Sequence, residues 1–303
     1  MPTRLGLRQL VLMLLAMGCG IAIVVAMVQN NRRMAAPQGS APQTTTAPEQ
    51  AAATTPEIED AWARPGVPVI TPSRWYPGTF PSGRAPVTGG GVVEALESSP
   101  QTLTPFFATD AQARRVIQGT VCETLGYIGS SDGAIRGRIA QAWQIDPEGM
   151  WLRVLVDSRA VFSDGTRVTA EDVKFSLDIL RMPGLDAERT RGALEGIERI
   201  DIVSDRVAEF HFKEPRPLNV LHALCSLYIV PRHFYERFTP EELNRSTGLL
   251  MGSGPFMLGD LDPANEWKPG SDIVLVRNPH SNLWLDSVRF TVITDAAARL
   301  TAL

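Results

Sequence analysis

The chain has 303 residues, of which 44% are apolar and 20% charged, with a formal net charge of −4; this supports one or two folded domains with their own cores and by itself names no function. The charge is uneven: Met1–Arg33 carries four arginines and no acid, 34–88 carries three arginines against four acids, and the remainder is left at −7. An acidic body lacks the clustered Lys and Arg that nucleic acid or an anionic lipid surface rewards, which excludes nucleic acid as the main partner.

Leu10–Val28, LVLMLLAMGCGIAIVVAMV, is nineteen residues without a charge, about the length a helix needs to cross a bilayer core. Three fates fit it, in this order: an uncleaved anchor, a lipoprotein signal acylated at Cys19 after Ala16, Met17 and Gly18, and a cleaved export signal. Arg4 and Arg8 before it nearly balance Arg32 and Arg33 after it, so the flanking charges do not set its orientation. Residues 1–33 are therefore the anchor or signal segment. Residues 34–88, rich in Pro, Ala and Thr and without apolar periodicity, are a linker, because such a segment cannot bury enough surface to offset its ordering entropy. Its aromatic residues Trp62, Trp75, Tyr76 and Phe80 are the ones able to pack on the folded body, residues 89–303.

Within that body, Val92–Leu96 is a short strand that breaks at Ser98-Ser99-Pro100. Thr109 or Asp110 caps a helix expected to run to about Leu125. Asp146-Pro147-Glu148-Gly149 is a turn that leads into a strand over Trp151–Val156. Ser163-Asp164-Gly165-Thr166 is a second tight turn, and Thr169 with Asp172 three residues on is a capping signal for a helix whose buried stripe is Val173, Leu177 and Leu180. Residues 197–203 and 207–212 alternate around Ser204-Asp205-Arg206 as a hairpin. Helices follow over 218–224 and near 232–238, then strands over 256–259, 273–277 and 288–294.

The order of these elements, and the strings within them, resemble one family. The carriers are Ser98–Phe106 (SSPQTLTPF), Ala140–Trp143 (AQAW), Val161–Ser176 (VFSDGTRVTAEDVKFS), Ile229–His233 (IVPRH), Gly252–Phe256 (GSGPF) and Val276–Pro279 (VRNP). On these the chain is similar, from about Gly90 to Leu303, to the extracellular solute-binding proteins of the oligopeptide, dipeptide and nickel ABC importers, family 5. The resemblance implies an α/β fold of the periplasmic-binding-protein type, class II, here its first lobe with a β-hairpin-rich subdomain. It also implies a non-enzymatic receptor that closes on a peptide or other small solute outside the cytoplasmic membrane and delivers it to ABC permease subunits. Residues 293–303 fall where the family's chain crosses to its second lobe, so that lobe is expected to be missing from these residues. The alternative is a membrane-tethered structural or interaction module derived from such a protein, without transport activity.

Ligand-cleft candidates follow from position. Ser98, Leu103, Thr104 and Phe106 lie on the loop that leaves the C-terminal end of the first strand, where open α/β folds place ligands. Gly252, Ser253 and Gly254 permit close backbone approach, and Tyr127 and Trp284 are aromatic residues suited to a cleft wall. No residue is assigned to catalysis, to a metal or to a cofactor: His222 and Cys225 are two ligands without a third, and no nucleophile elbow or dinucleotide fingerprint is present. Cys122 and Cys225 sit in apolar runs, where a buried free thiol is the commoner state and one bridge between them is the alternative.

Overall fold

Two apolar clusters organise the body, and each forms on one side of a four-stranded sheet. The structure is a computed structural model describing residues 62–73, 87–260, 262 and 265–302. The expected membrane segment Leu10–Val28, with Cys19, lies outside the described residues, among which no helix is long and apolar enough to cross a membrane.

The first sheet has the order β1-β10-β9-β8: β1 (Gly91–Leu96) runs parallel to β10 (Ser287–Val292), which pairs antiparallel with β9 (Ile273–Arg277), and β9 with β8 (Phe256–Leu258). Its register puts Leu96, Phe290, Ile273 and Leu275 into a cluster shared with α1 (Ala111–Ile117). The second sheet is a meander of hairpins in the order β4-β5-β7-β6: Ala140–Ile145, Trp151–Val156, Val207–Phe212 and Ile197–Ser204. One face carries Trp143, Leu152, Val154, Ala208, Phe210 and Ile200. Helix α2 (Ala170–Leu180) covers that face, with Val173, Leu177 and Leu180 buried in the same cluster. A small pair, β2 (Gly126–Ile128) with β3 (Ile135–Gly137), joins the two halves.

A sheet with one solvated face should alternate apolar and polar, yet β5 and β7 are buried at almost every position. The opposite face of the meander holds a polar row, Gln144, Arg153, Glu209 and Asp201, aligned across all four strands. Gln144 is 0% and Glu209 3% exposed. What buries them is residues 62–73, from the stretch expected to be linker. Trp62 is itself buried, and its carbonyl accepts from Arg153 Nη1 at 2.9 Å. Arg64 pairs with Glu209 and lies 4.2 Å over the Trp151 ring. The Gln144 amide accepts from Arg64 N at 2.7 Å and donates to the Arg64 and Val67 carbonyls at 3.1 and 2.6 Å. Ile70 then exchanges two backbone hydrogen bonds, 2.8 and 3.0 Å, with Trp143 on β4.

Caps fall where side-chain chemistry requires them. Thr169 and Asp172 form a capping box at α2, Thr169 N donating to Asp172 Oδ2 at 2.9 Å, while Asp172 Oδ1 accepts from Arg232 N at 2.9 Å and so also serves the start of α5 (Arg232–Tyr235). Helix α1 is capped by Asp110, as the sequence predicts, but stops at Ile117 rather than near Leu125. Gly119 is in the left-handed region at φ +74°, which ends the helix, and Val121, Cys122 and Leu125 reach the two cores from irregular backbone. The structure adds β2, β3, β4, α3 (Glu188–Ala193) and α6 (Pro240–Arg245); α4 spans Pro217–Cys225 and α7 spans Ala296–Ala302. Cys122 and Cys225 are free thiols.

Candidate functional site

The loop Ser98–Phe106 does leave the C-terminal end of β1, but the structure spends most of it on packing. Leu103 is fully buried in the first sheet's cluster. Phe106 is buried in the second, its ring edge-on to Tyr235 with centroids 5.1 Å apart. Thr104 is 0% exposed, and its hydroxyl shares a 2.8 Å hydrogen bond with Ser246 Oγ. These three are core rather than cleft wall. The cause is residues 246–248 and 266–270 closing over the loop: Leu103 N donates to the Thr247 carbonyl at 2.7 Å and Gly270 N to Ser99 Oγ at 2.9 Å. Ser98 alone of the four is exposed. Trp284 is half-buried, and its carbonyl accepts from Gly89 N at 2.7 Å.

The remaining candidates converge. Gly252 and Gly254 are buried against the backbone of 120–122: a Cβ on Gly254 would stand 2.7 Å from the Thr120 carbonyl carbon and from Val121 O. Gly254 N donates to Val121 O at 2.8 Å and Phe256 N to Thr120 O at 2.9 Å. This approach carries Ser253 to Glu123, whose Oε2 accepts from Ser253 Oγ at 3.1 Å. Glu123 Oε1 accepts from Arg138 Nη1 at 3.0 Å. The Arg138 guanidinium lies 4.6 Å over the ring of Tyr127 on β2. Ser253, Glu123, Arg138 and Tyr127 are all partly exposed, so the cluster is both ordered and reachable.

Sequence reasoning named Tyr127 and Ser253 but missed Glu123 and Arg138. The available signal was a lone charge inside an apolar run for Glu123, in VCETLGY, and for Arg138 only its place as the second of two arginines in AIRGRIA. Chemically the cluster offers a guanidinium that suits a carboxylate, a carboxylate that suits an ammonium or amide N–H, and a flat aromatic face. Tyr127 lies on a three-residue strand paired with β3, and the adjoining Ile128 is exposed. Among the described residues no three His, Cys, Asp or Glu side chains gather as metal ligands.

Two further features offer a ligand less than this cluster does. Asp164, in the Ser163–Thr166 turn, accepts from or pairs with His233 Nε2 at 2.7 Å, and Ser163 N donates to the Gly252 carbonyl at 3.0 Å, so the turn is a brace behind the glycines. A shallow crevice of about 530 Å³ lies among α2, α3 and β6. Its cations Arg181, Arg191 and Lys213 are matched by Glu188, Glu195 and Glu198, so it selects no ligand charge.

Comparison with known proteins agrees with this architecture. Residues 134–303 match the family described as Bacterial extracellular solute-binding proteins, family 5 Middle. The Escherichia coli (strain K12) protein named "Probable D,D-dipeptide-binding periplasmic protein DdpA" is 30% identical over 215 residues, 66% of this chain and 38% of its own length. The Agrobacterium fabrum protein named "Peptidoglycan-binding protein YepA" is 29% identical over 148 residues, 48% of this chain and 22% of its own. Among solved structures, the oligopeptide-binding protein AppA of Bacillus subtilis, in complex with a nonapeptide, superposes with a TM-score of 0.64 at 23% identity, covering 72% of this chain and 43% of that one. NikZ of Campylobacter jejuni, in complex with Ni(L-His), does so with a TM-score of 0.58 at 22% identity, covering 70% and 41%. The chain thus spans less than half the length of each of these proteins, and its fold is the mixed α/β architecture of periplasmic binding proteins. With the family match extending over more than half of its residues, the chain belongs to the bacterial extracellular solute-binding proteins of family 5.

Proposed function

We propose that this chain supplies the first lobe of the substrate-binding component of an ABC importer, receiving peptides or similar small solutes outside the cytoplasmic membrane and handing them to permease subunits. The segment Leu10–Val28 holds the body at the membrane in this reading. The observation that carries the solute assignment is the Glu123–Arg138 pair with Tyr127 and Ser253 beside it. An extended peptide is a chain of alternating N–H and C=O groups with a charge at each end. It is suited to a short strand edge for its main chain and a fixed ion pair for its charged groups. Ser253 and Tyr127 hold both partners of the ion pair, and a pair held in this way lowers the ordering cost of binding.

The reading is tested with the gene product that contains this chain, incubated with a mixed di- to pentapeptide pool, washed, and stripped of retained ligand for mass spectrometry. Retention of peptide that falls at least tenfold in Arg138→Gln, without a comparable fall in thermal stability, supports it. Absence of any retained peptide, or retention indifferent to Arg138→Gln and Glu123→Gln, contradicts it.

A further inference from the structure

Four of the strings singled out in the sequence, far apart in the chain, meet behind Ser253. Gly252 O accepts from Ser163 N at 3.0 Å, and Gly254 O accepts from Asn278 Nδ2 at 2.8 Å. The carbonyls on both sides of Ser253 are therefore held, one by the Ser163–Thr166 turn and one by the loop that follows β9. Gly254 N is held as well, by Val121 O at 2.8 Å. Glycine leaves the backbone direction open unless outside contacts fix it, so these three bonds decide where the Ser253 side chain points. It points to Glu123, whose Oε2 accepts from Ser253 Oγ at 3.1 Å.

Each hold has its own support. Asn278 is 1% exposed, and its Oδ1 accepts from His280 N at 2.9 Å while its own N donates to Pro255 O at 2.9 Å. Both ends of the amide are thus engaged, which fixes the donor on Gly254 O. The turn is closed on itself by Phe162 N to Thr166 O at 2.8 Å and by Thr166 N to Asp164 Oδ1 at 2.9 Å. Two imidazoles flank it: His233 Nε2 is 2.7 Å from Asp164 Oδ2, and a Cβ on Gly165 would stand 2.9 Å from His280 Nε2. The His233–Asp164 pair is partly exposed and so contributes little to stability; its consequence lies in where it holds the turn. We propose, resting on the receptor reading above, that Asn278 and the Asp164–His233 pair are positioning residues of the solute site. By fixing both carbonyls beside Ser253 they keep Ser253 Oγ on Glu123, and Glu123 aligned with Arg138, for the arriving solute.

The test compares retention of the mixed di- to pentapeptide pool by the gene product that contains this chain, with Asn278→Asp and His233→Ala each made alone and in a Ser253→Ala background. Asn278→Asp keeps the acceptor for His280 N and sets a carboxylate oxygen against Gly254 O. His233→Ala removes a partly exposed partner and leaves the turn's own hydrogen bonds. Residues that act through Ser253 lose their effect once its hydroxyl is gone. Each substitution is therefore expected to lower retention at least about threefold with Ser253 present and less than about 1.5-fold in Ser253→Ala. An equal factor in both backgrounds overturns the proposal, since that is what general destabilisation gives. So does retention that either substitution leaves unchanged while Arg138→Gln still lowers it, a result that leaves the receptor reading standing. If Asn278→Asp does not fold, His233→Ala decides alone. No retained peptide in the unsubstituted protein contradicts the receptor reading itself and removes this inference with it.

Discussion

Replacing Gly254 by alanine asks whether the glycines of Gly252-Ser253-Gly254 serve close packing, as the geometry requires, or only ligand access. The added Cβ would press closest on Thr120 O and would meet the Thr120 carbonyl carbon and Val121 O at 2.7 Å, where ordinary contact begins at 3.4 Å. The two segments of backbone must therefore separate by at least roughly 0.7 Å, which takes 2.8–2.9 Å hydrogen bonds to about 3.5 Å or beyond, the limit of a useful bond. The bonds at risk are Gly254 N to Val121 O and Phe256 N to Thr120 O. Overpacking of this kind costs about 1–3 kcal/mol and each weakened buried bond about 1 kcal/mol, so the variant should lose about 3–5 kcal/mol. For a body of this size that corresponds to a Tm lower by about 10 °C. The assay is thermal unfolding by calorimetry, with Gly192→Ala as control: that glycine lies in α3 with nothing within 4 Å of its would-be Cβ, and alanine there should be neutral or stabilising by about 0.5 kcal/mol. A Gly254→Ala Tm within about 1 °C of the parent would mean that these glycines are not needed for close packing, because no backbone shift of this size is free.

Asp172→Ala should cost about 2–4 kcal/mol, since one buried carboxylate serves the Thr169 and Arg232 amides on two helices; denaturant unfolding reads the loss, and Asp172→Asn should recover part of it. A double-mutant cycle on Glu123→Ala and Arg138→Ala should give a coupling of about 1 kcal/mol, the size of a partly exposed pair, and a value indistinguishable from zero would remove the premise of an ordered charged cluster. Burial pushes the Cys225 thiol from 9.0 up to about 11 and holds Cys122 further above the usual thiol range. The raised folded-state value means that the stabilisation is fully present below pH 9 and is lost as pH rises through 11, because the unfolded thiols ionise first. Unfolding midpoints measured from pH 7 to 11 should fall across pH 9–11, with a shallower fall in Cys225→Ser. Neither thiol should react readily with a thiolate-directed reagent at pH 8 until the protein is unfolded.

Much of the fold was legible wherever local chemistry decides structure. The Thr169–Asp172 capping box, the hairpin around Ser204-Asp205-Arg206 and the strand Trp151–Val156 bounded by its Asp146–Gly149 turn needed no distant partner. Strand β4 was missed because Gln141 and Gln144 interrupt its apolar pattern, and Gln144 earns burial only from residues nearly eighty positions earlier. Residues 62–73 carry Pro65, Pro68 and Pro72 and read as spacer. Their order comes from Glu209, Arg153 and Trp143, which composition cannot supply. The overlong helix to Leu125 followed from an apolar run in which the conformation of Gly119 is invisible.

The site was less legible for the same reason. Leu103, Thr104 and Phe106 were placed by strand topology at the right end of β1, but their burial is decided by residues 246–248 and 266–270 folding back over them. Ser253 was found through its glycines, whereas Glu123 and Arg138 become a pair only when β2 and β3 turn back on each other.

In the proposed function, the face bearing Glu123, Tyr127, Arg138 and Ser253 receives the solute. Hydrogen exchange on the gene product that contains this chain, with and without a saturating retained peptide, tests it most directly. Binding at this face is expected to slow exchange, within these residues, only at 123–138 and 252–254. Retained peptide with no change in those two segments would contradict it.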